Sequence, residues 1–159
     1  MPIQKLKNYL DRNKVRYDVV GHLTTYTAQG TAQSAHIPGK EIAKTVIVNV
    51  DGDDGRMAMV VLPASCTIDF ALLKEVTGAQ TVELATEDEF RDMFPDCEIG
   101  AMPPFGNLYA MDVYVERSLA RDEEIAFNAG NHRELIRMSY RDFERLVNPK
   151  VLEIAMSVS

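Results

Sequence analysis

No apolar run in this 159-residue chain is long enough to cross a bilayer. No signal-peptide core follows the opening Met1-Pro2-Ile3-Gln4-Lys5. The expectation is a soluble protein of the cytoplasm. Cysteine is scarce: Cys66 and Cys97 form no CxxC pair and read as free thiols. His22 and His36 have no second ligand at a metal-binding spacing, and no Cys/His cluster exists, so metal catalysis is not expected. The chain has no GxGxxG and no Walker-type phosphate loop, which argues against the usual nucleotide cofactors. It has no GxSxG elbow either; Ser65, in Leu62-Pro63-Ala64-Ser65-Cys66, lacks that context. Cys66 has no base nearby in sequence to activate it. Positive charge is also short, with 17 Lys and Arg against 24 Asp and Glu and a formal net charge of −7. Affinity for phosphates comes from Lys and Arg, so any RNA must meet a local basic patch.

What is present suffices for a core: 46% of residues are hydrophobic. The length fits one domain over residues 1–159, with a core of about 3–148 and a tail over 149–159 packed through Val151, Leu152 and Ile154. Ile3, Leu6 and Leu10 mark an amphipathic helix over 3–13. Tyr17–Val20 reads as a strand. Thr27 caps a helix over 27–36 with an alanine face, and Pro38-Gly39 ends it. Residues 43–50 and 57–62 are apolar β-branched runs around an Asp/Gly turn at 51–55, which makes a hairpin covered on both faces. Asp69 caps a helix to Thr77, with Leu72, Leu73 and Val76 inward and Gly78 as the stop. Thr81–Ala85 is a strand. Thr86 to Glu89 is a capping box opening a helix that carries Phe90 and Met93 and closes at Pro95. Strands follow at about 108–115, 124–128 and 134–138. Ser139 then caps a helix carrying Tyr140, Phe143, Leu146 and Val147. This pattern gives an α+β domain around a mixed, largely antiparallel sheet.

Three places could carry chemistry. Lys44 stands at the entry of an apolar strand; it either snorkels to water or faces a ligand anion or carbonyl oxygen, and position alone favours the first. The second is Ile99 to Asn107, with two prolines, two glycines and no charge. Such a stiff loop suits a pocket wall and a buried structural turn equally well. The third is Phe127-Asn128-Ala129-Gly130-Asn131-His132, where His132 is either a solvated turn residue or an acid/base group. The acidic runs Asp51–Asp54 and Asp122-Glu123-Glu124 read as solvated.

Thr27-Ala28-Gln29, Ile42-Ala43-Lys44-Thr45-Val46, Val61-Leu62-Pro63, Gly100-Ala101-Met102-Pro103-Pro104-Phe105-Gly106 and Asn128-Ala129-Gly130 occur in this order. Together they resemble the YbaK/EbsC-type proteins, the superfamily of the bacterial prolyl-tRNA synthetase editing domain, from about residue 3 to 148. The resemblance implies a curved sheet with surrounding helices and a trans-acting aminoacyl-tRNA deacylase. Its implied substrate is a small amino acid, alanine or cysteine, on tRNA-Pro, held through the 3′-terminal aminoacyl-adenosine. It implies no metal or organic cofactor, and suggests prolyl-tRNA synthetase as a further partner. Carried over residue by residue, Lys44 and Gly100 would be catalytic. Thr45, Ala101, Met102, Pro103, Pro104, Phe105, Gly130 and His132 would bind substrate. One departure stands out: many relatives have Ser or Thr where this chain has Pro103. That leaves a non-catalytic binding module of the same fold as the alternative.

Overall fold

The computed structural model describes residues 2–24, 27–51 and 56–157. The described helices are α1 (Gln4–Arg12), α2 (Ala28–Ala35), α3 (Phe70–Thr77), α4 (Glu87–Phe90) and α5 (Tyr140–Val147). Four of them start on the side chains that the sequence pattern marks. Thr27 accepts the Gly30 amide at 3.0 Å, Asp69 the Leu72 amide at 3.0 Å and Ser139 the Asp142 amide at 3.1 Å. At α4, Thr86 and Glu89 exchange hydrogen bonds of 3.2 and 2.9 Å. Each cap satisfies an otherwise orphaned amide and is worth about 1 kcal/mol. The left-handed residues His36, Gly78 and Asn148 stop α2, α3 and α5.

The strands are β1 (Tyr17–Gly21), β2 (Ile42–Val50), β3 (Arg56–Pro63), β4 (Cys66–Ile68) and β5 (Val82–Leu84), then β6 (Asp112–Glu116), β7 (Glu124–Asn128), β8 (Glu134–Ser139), β9 (Lys150–Leu152) and β10 (Ala155–Ser157). The main sheet runs β1-β8-β7-β2-β3-β6-β9, with β5 also on β2; β4 and β10 form a second small sheet. Pairs β1–β8, β7–β8, β2–β3, β2–β5 and β4–β10 are antiparallel, while β2–β7, β3–β6 and β6–β9 are parallel. The mixed, mostly antiparallel α+β architecture is therefore present. The hairpin pairs Ala43 with Pro63 through Val50 with Arg56, and its turn at 52–55 lies outside the described residues.

Alternation along β2 sorts the core. Ala43 and Ile47 face a large cluster with Leu6, Leu10, Met102, Phe105, Phe127 and Phe143. Val46, Val48 and Val50 face the other way with Val60, Leu62 and Ile154, and Ile42 does so with Ala32, Ala64 and Leu135.

Several expectations change. The strand expected from about 108 begins at Asp112, because Gly106–Leu108 winds into a 3-10 turn and Ala110 sits at φ 56°. The α4 helix is a single turn that tightens into 3-10 geometry over Arg91–Met93, which leaves Met93 39% exposed. Val76 is 40% exposed, since the short α3 buries Leu73 instead. The supposed tail is two strands. Arg117 donates to the Leu152 carbonyl and Asp69 to that of Ile154, while the Glu116 carboxylate accepts the Ile154 amide at 3.1 Å.

Candidate active site

The sheet forks on one edge of β2. The β3 strand covers the other edge for its full length, but β7 pairs only with Ile42 and Ala43, and β5 only with Val48 to Val50. Ala85 extends the second contact to the Ile47 carbonyl at 3.0 Å. Between them, Lys44 to Val46 have a strand partner on one side only. The last parallel pair is Ala43 with Phe127, so the next residues along the two diverging strands are Lys44 and Asn128.

Three polar groups at this fork lack compensation, Lys44 and Asn128 on the face of Ile42 and Ala126 and Thr45 on the face of Ala43 and Ile47. Lys44 is half-buried and, among the described residues, its ammonium forms no ion pair and no hydrogen bond. Burial pushes its pKa down from the usual lysine value, and the nearby Cys66 thiol opposes this only in part. The Thr45 Oγ1 and Asn128 Oδ1 atoms are buried with no hydrogen-bond partner among the described residues. Leaving such a group unsatisfied costs about 1–3 kcal/mol. By alternation Lys44 shares its face with Ile42 and Val46. On that side of the sheet a groove of about 660 Å³ runs along Gln29, Gln33, His36, Pro38 and Ser65.

Beyond Asn128 the chain is tightly tied. Glu98 donates its amide to the Gly130 carbonyl at 2.8 Å, and Gly130 donates to the Ala101 carbonyl at 3.0 Å. The His132 amide donates to Glu98 Oε1 at 2.7 Å, and His132 Nε2 lies 2.7 Å from the Ile99 carbonyl. A carbonyl only accepts, so this nitrogen carries the proton. His132 is 8% exposed. Gly100 has φ +86°, and a Cβ there would stand 3.4 Å from the His132 ring. Gly130 has φ +98°, and a Cβ there would run into the Ile3 side chain.

The loop itself is a buried turn from Ala101 to Gly106. The Phe105 ring lies 5.4 Å from those of Phe127 and Phe143 and 6.1 Å from that of Tyr9. The side chains of Ala101, Met102, Pro103, Pro104 and Phe105 are thus enclosed, and Gly100 is the exposed member of the motif. The Gly100 amide donates to no acceptor among the described residues. The structure brings Gly100, Ala101, Gly130 and His132 into direct contact. By alternation Thr45 lies on the face of β2 that meets Met102 and Phe105 of this turn and Lys44 on the opposite face, with no hydrogen bond joining either to the turn.

Sequence reasoning passed over Glu98, which ties the turn twice, and gave Asn128 no role of its own within the third candidate stretch. The signal for Asn128 was there: an amide at the end of the apolar Ile125-Ala126-Phe127 run. A larger cavity of about 980 Å³ lies elsewhere, along Asp122, Glu123, Tyr140, Arg141, Glu144 and Arg145. Its carboxylates suit an RNA phosphate poorly. Among the described residues no group of three or more His, Cys, Asp or Glu side chains could hold a metal ion.

Comparison with known proteins adds the following. Residues 22–146 match the model of the aminoacyl-tRNA editing domain. The chain is 24% identical over 151 residues to the multifunctional Ser/Thr-tRNA deacylase ProXp-y of Escherichia coli K12, covering 94% of this chain and 90% of that protein. A crystal structure of a candidate trans-editing enzyme for prolyl-tRNA synthetase superposes with a TM-score of 0.81 at 19% identity, covering 98% of this chain and 97% of that one. The hypothetical protein APE2540 superposes with a TM-score of 0.84 at 20% identity, over 96% and 100% of the two chains.

Proposed function

Because the chain belongs to the aminoacyl-tRNA editing domain family, we propose that it clears a small amino acid from mischarged tRNA in trans, alanine or cysteine on tRNA-Pro first. Its reaction class is hydrolysis of the ester between an amino acid and the tRNA 3′ end. The observation that carries the reading is the fork: a half-buried unpaired ammonium on the same sheet face as the orphaned Asn128 Oδ1, with the orphaned Thr45 Oγ1 on the other face of the same gap. Such an arrangement is poor for stability and suited to a polar, partly anionic guest.

The ester is already activated, so the site needs a placed water and a neutralised oxyanion. Water adds to the carbonyl carbon, and the carbonyl oxygen takes up the negative charge. The ester C–O bond then breaks, and the proton passes to the departing ribose oxygen. Lys44 supplies the positive charge near the ester or the terminal phosphate. The exposed Gly100 amide is a second donor. The vicinal ribose hydroxyl helps to hold the water. The rigid turn behind Gly100 limits the space for the side chain, which sieves by size.

A second reading concerns the amino acid. Either orphaned oxygen, Thr45 Oγ1 or Asn128 Oδ1, is able to meet a substrate hydroxyl, which favours serine or threonine. A site that hydrogen-bonds a hydroxyl discriminates strongly against the analogue without it.

The test is release of amino acid from alanyl-, cysteinyl-, seryl- and threonyl-tRNA. Preferred release of alanine or cysteine from tRNA-Pro supports the first reading. Preferred release of serine or threonine supports the second. No release from any, while a known deacylase works in the same assay, leaves the binding module that Pro103 suggests.

A further inference from the structure

Basic side chains are unevenly spread along the chain. Residues 2–16 hold Lys5, Lys7, Arg12, Lys14 and Arg16 against the single acid Asp11, a net +4 in a chain of −7. Lys5, Arg12, Lys14 and Arg16 are exposed. Among the described residues none of the five forms an ion pair, whereas Arg56, Arg91, Arg117, Arg137 and Arg145 each pair with a carboxylate. The Asp11 carboxylate accepts the Tyr17 hydroxyl at 2.9 Å rather than a neighbouring cation. Lys5 and Arg12 are seven residues apart on the same side of α1, about 10.5 Å along its axis.

This helix is fastened to the candidate site. The Ile3 amide donates to the Ala129 carbonyl at 3.0 Å, and the Ile3 side chain fills the space beside Gly130. Asn107 donates to the Tyr9 hydroxyl at 3.0 Å, and the Lys5 ammonium lies 4.6 Å from the centre of the Tyr109 ring. The basic run therefore starts at the turn that carries Gly100 and leads away from it. The rest of the chain is strongly acidic and repels a polyanion, which leaves this surface as the favourable approach.

We infer that α1 and the turn after it form the surface that holds the backbone phosphates of the tRNA acceptor stem while the 3′ end reaches the fork. The identity of the RNA rests on the deacylase reading. The contacts are to phosphates, so they position the stem and carry no sequence preference.

The test uses the full chain carrying K5Q, R12Q, K14Q and R16Q together, beside a control carrying K74Q, R91Q, R121Q and R141Q. Binding of uncharged tRNA is followed between about 50 and 200 mM salt. Each lost phosphate contact lowers the slope of log affinity against log salt by about 0.7–0.9. The expected result is a slope smaller by about 3 in the α1 variant and nearly unchanged in the control. The KM for charged tRNA rises at least tenfold, while hydrolysis of an aminoacyl-adenosine without a stem stays within twofold. If the fourfold variant does not fold, K14Q with R16Q, outside the helix, is expected to lower the slope by about 1.5. An unchanged slope, or an equal loss in the control, overturns the inference. Salt-dependent tRNA binding without release of any amino acid instead defeats the deacylase reading and leaves the surface standing.

Discussion

Two groups of residues flank the end of β7, and they are built in opposite ways. On one side Glu98, Gly130 and His132 fasten the 99–106 turn with hydrogen bonds of 2.7 to 3.0 Å. In the gap beside β2, Lys44 and Asn128 on one sheet face and Thr45 on the other bring a charge and two polar atoms into partial or full burial with nothing among the described residues to meet them. A satisfied polar cluster fixes a conformation, whereas an unsatisfied one costs stability and needs a reason, which under the proposed function is the substrate. His132 belongs to the first kind, whereas the sequence left it open between a solvated turn residue and an acid/base group. Lys44 belongs to the second, half-buried and without a partner for its charge among the described residues.

The largest expected effect lies at Lys44. Lys44→Ala should lower kcat/KM about 10²- to 10³-fold, the scale for removing one electrostatic donor. Its melting temperature should hold or rise, because an uncompensated half-buried charge has gone. The wild-type rate, corrected for spontaneous ester hydrolysis, should fall as pH rises through the lowered lysine pKa, beneath the ordinary 10.5. Stability should move the other way in that window. There the unfolded chain holds more protons than the folded one, so unfolding becomes harder as pH rises. Lys44→Ala should remove both trends.

Gly130→Ala attacks the fastened side. The positive φ alone costs about 1–3 kcal/mol, and the new Cβ meets Ile3 as well. At about 2–4 °C per kcal/mol for a chain of this size, thermal melting should drop by several degrees. Adding Ile3→Ala should recover only the clash.

Thr45→Val sharpens the contrast from the fork. It removes a buried hydroxyl without a partner, so stability should hold or rise by about 1 kcal/mol. Substrate KM should increase, most of all for seryl- and threonyl-tRNA. The smallest effect is at His132. His132→Ala should cost about 0.5–1.5 kcal/mol for the lost bond to Ile99, and His132→Gln should restore part of it. The pH profile of kcat should stay unchanged in both.

Local chemistry was legible in the sequence. Thr27, Asp69, Thr86 and Ser139 cap their helices as their spacing indicates, and the 43–62 hairpin has the expected partners. The three-residue strands β4, β9 and β10 were not legible, because such segments carry too few residues to show a period and are defined by distant partners. Val76 and Met93 misled because a helix of one or two turns buries fewer positions than its apolar spacing offers. At the candidate site, Lys44, Gly100 and Gly130 stand out in the sequence as a charge and two glycines within apolar stretches. The fork itself was hidden. It exists because β7 and β5 both use one edge of β2 and leave a gap between them, and no alternation within β2 records that.

The most direct measurement is a titration of isotopically labelled protein with an amide-linked, non-hydrolysable alanyl-adenosine, read by amide chemical shifts. The account predicts that the shifts centre on Lys44, Thr45, Asn128 and Gly100, with the His132 ring still bonded to Ile99. Shifts centred instead on the α5 cavity around Asp122 and Tyr140, or none at saturating ligand, would contradict it.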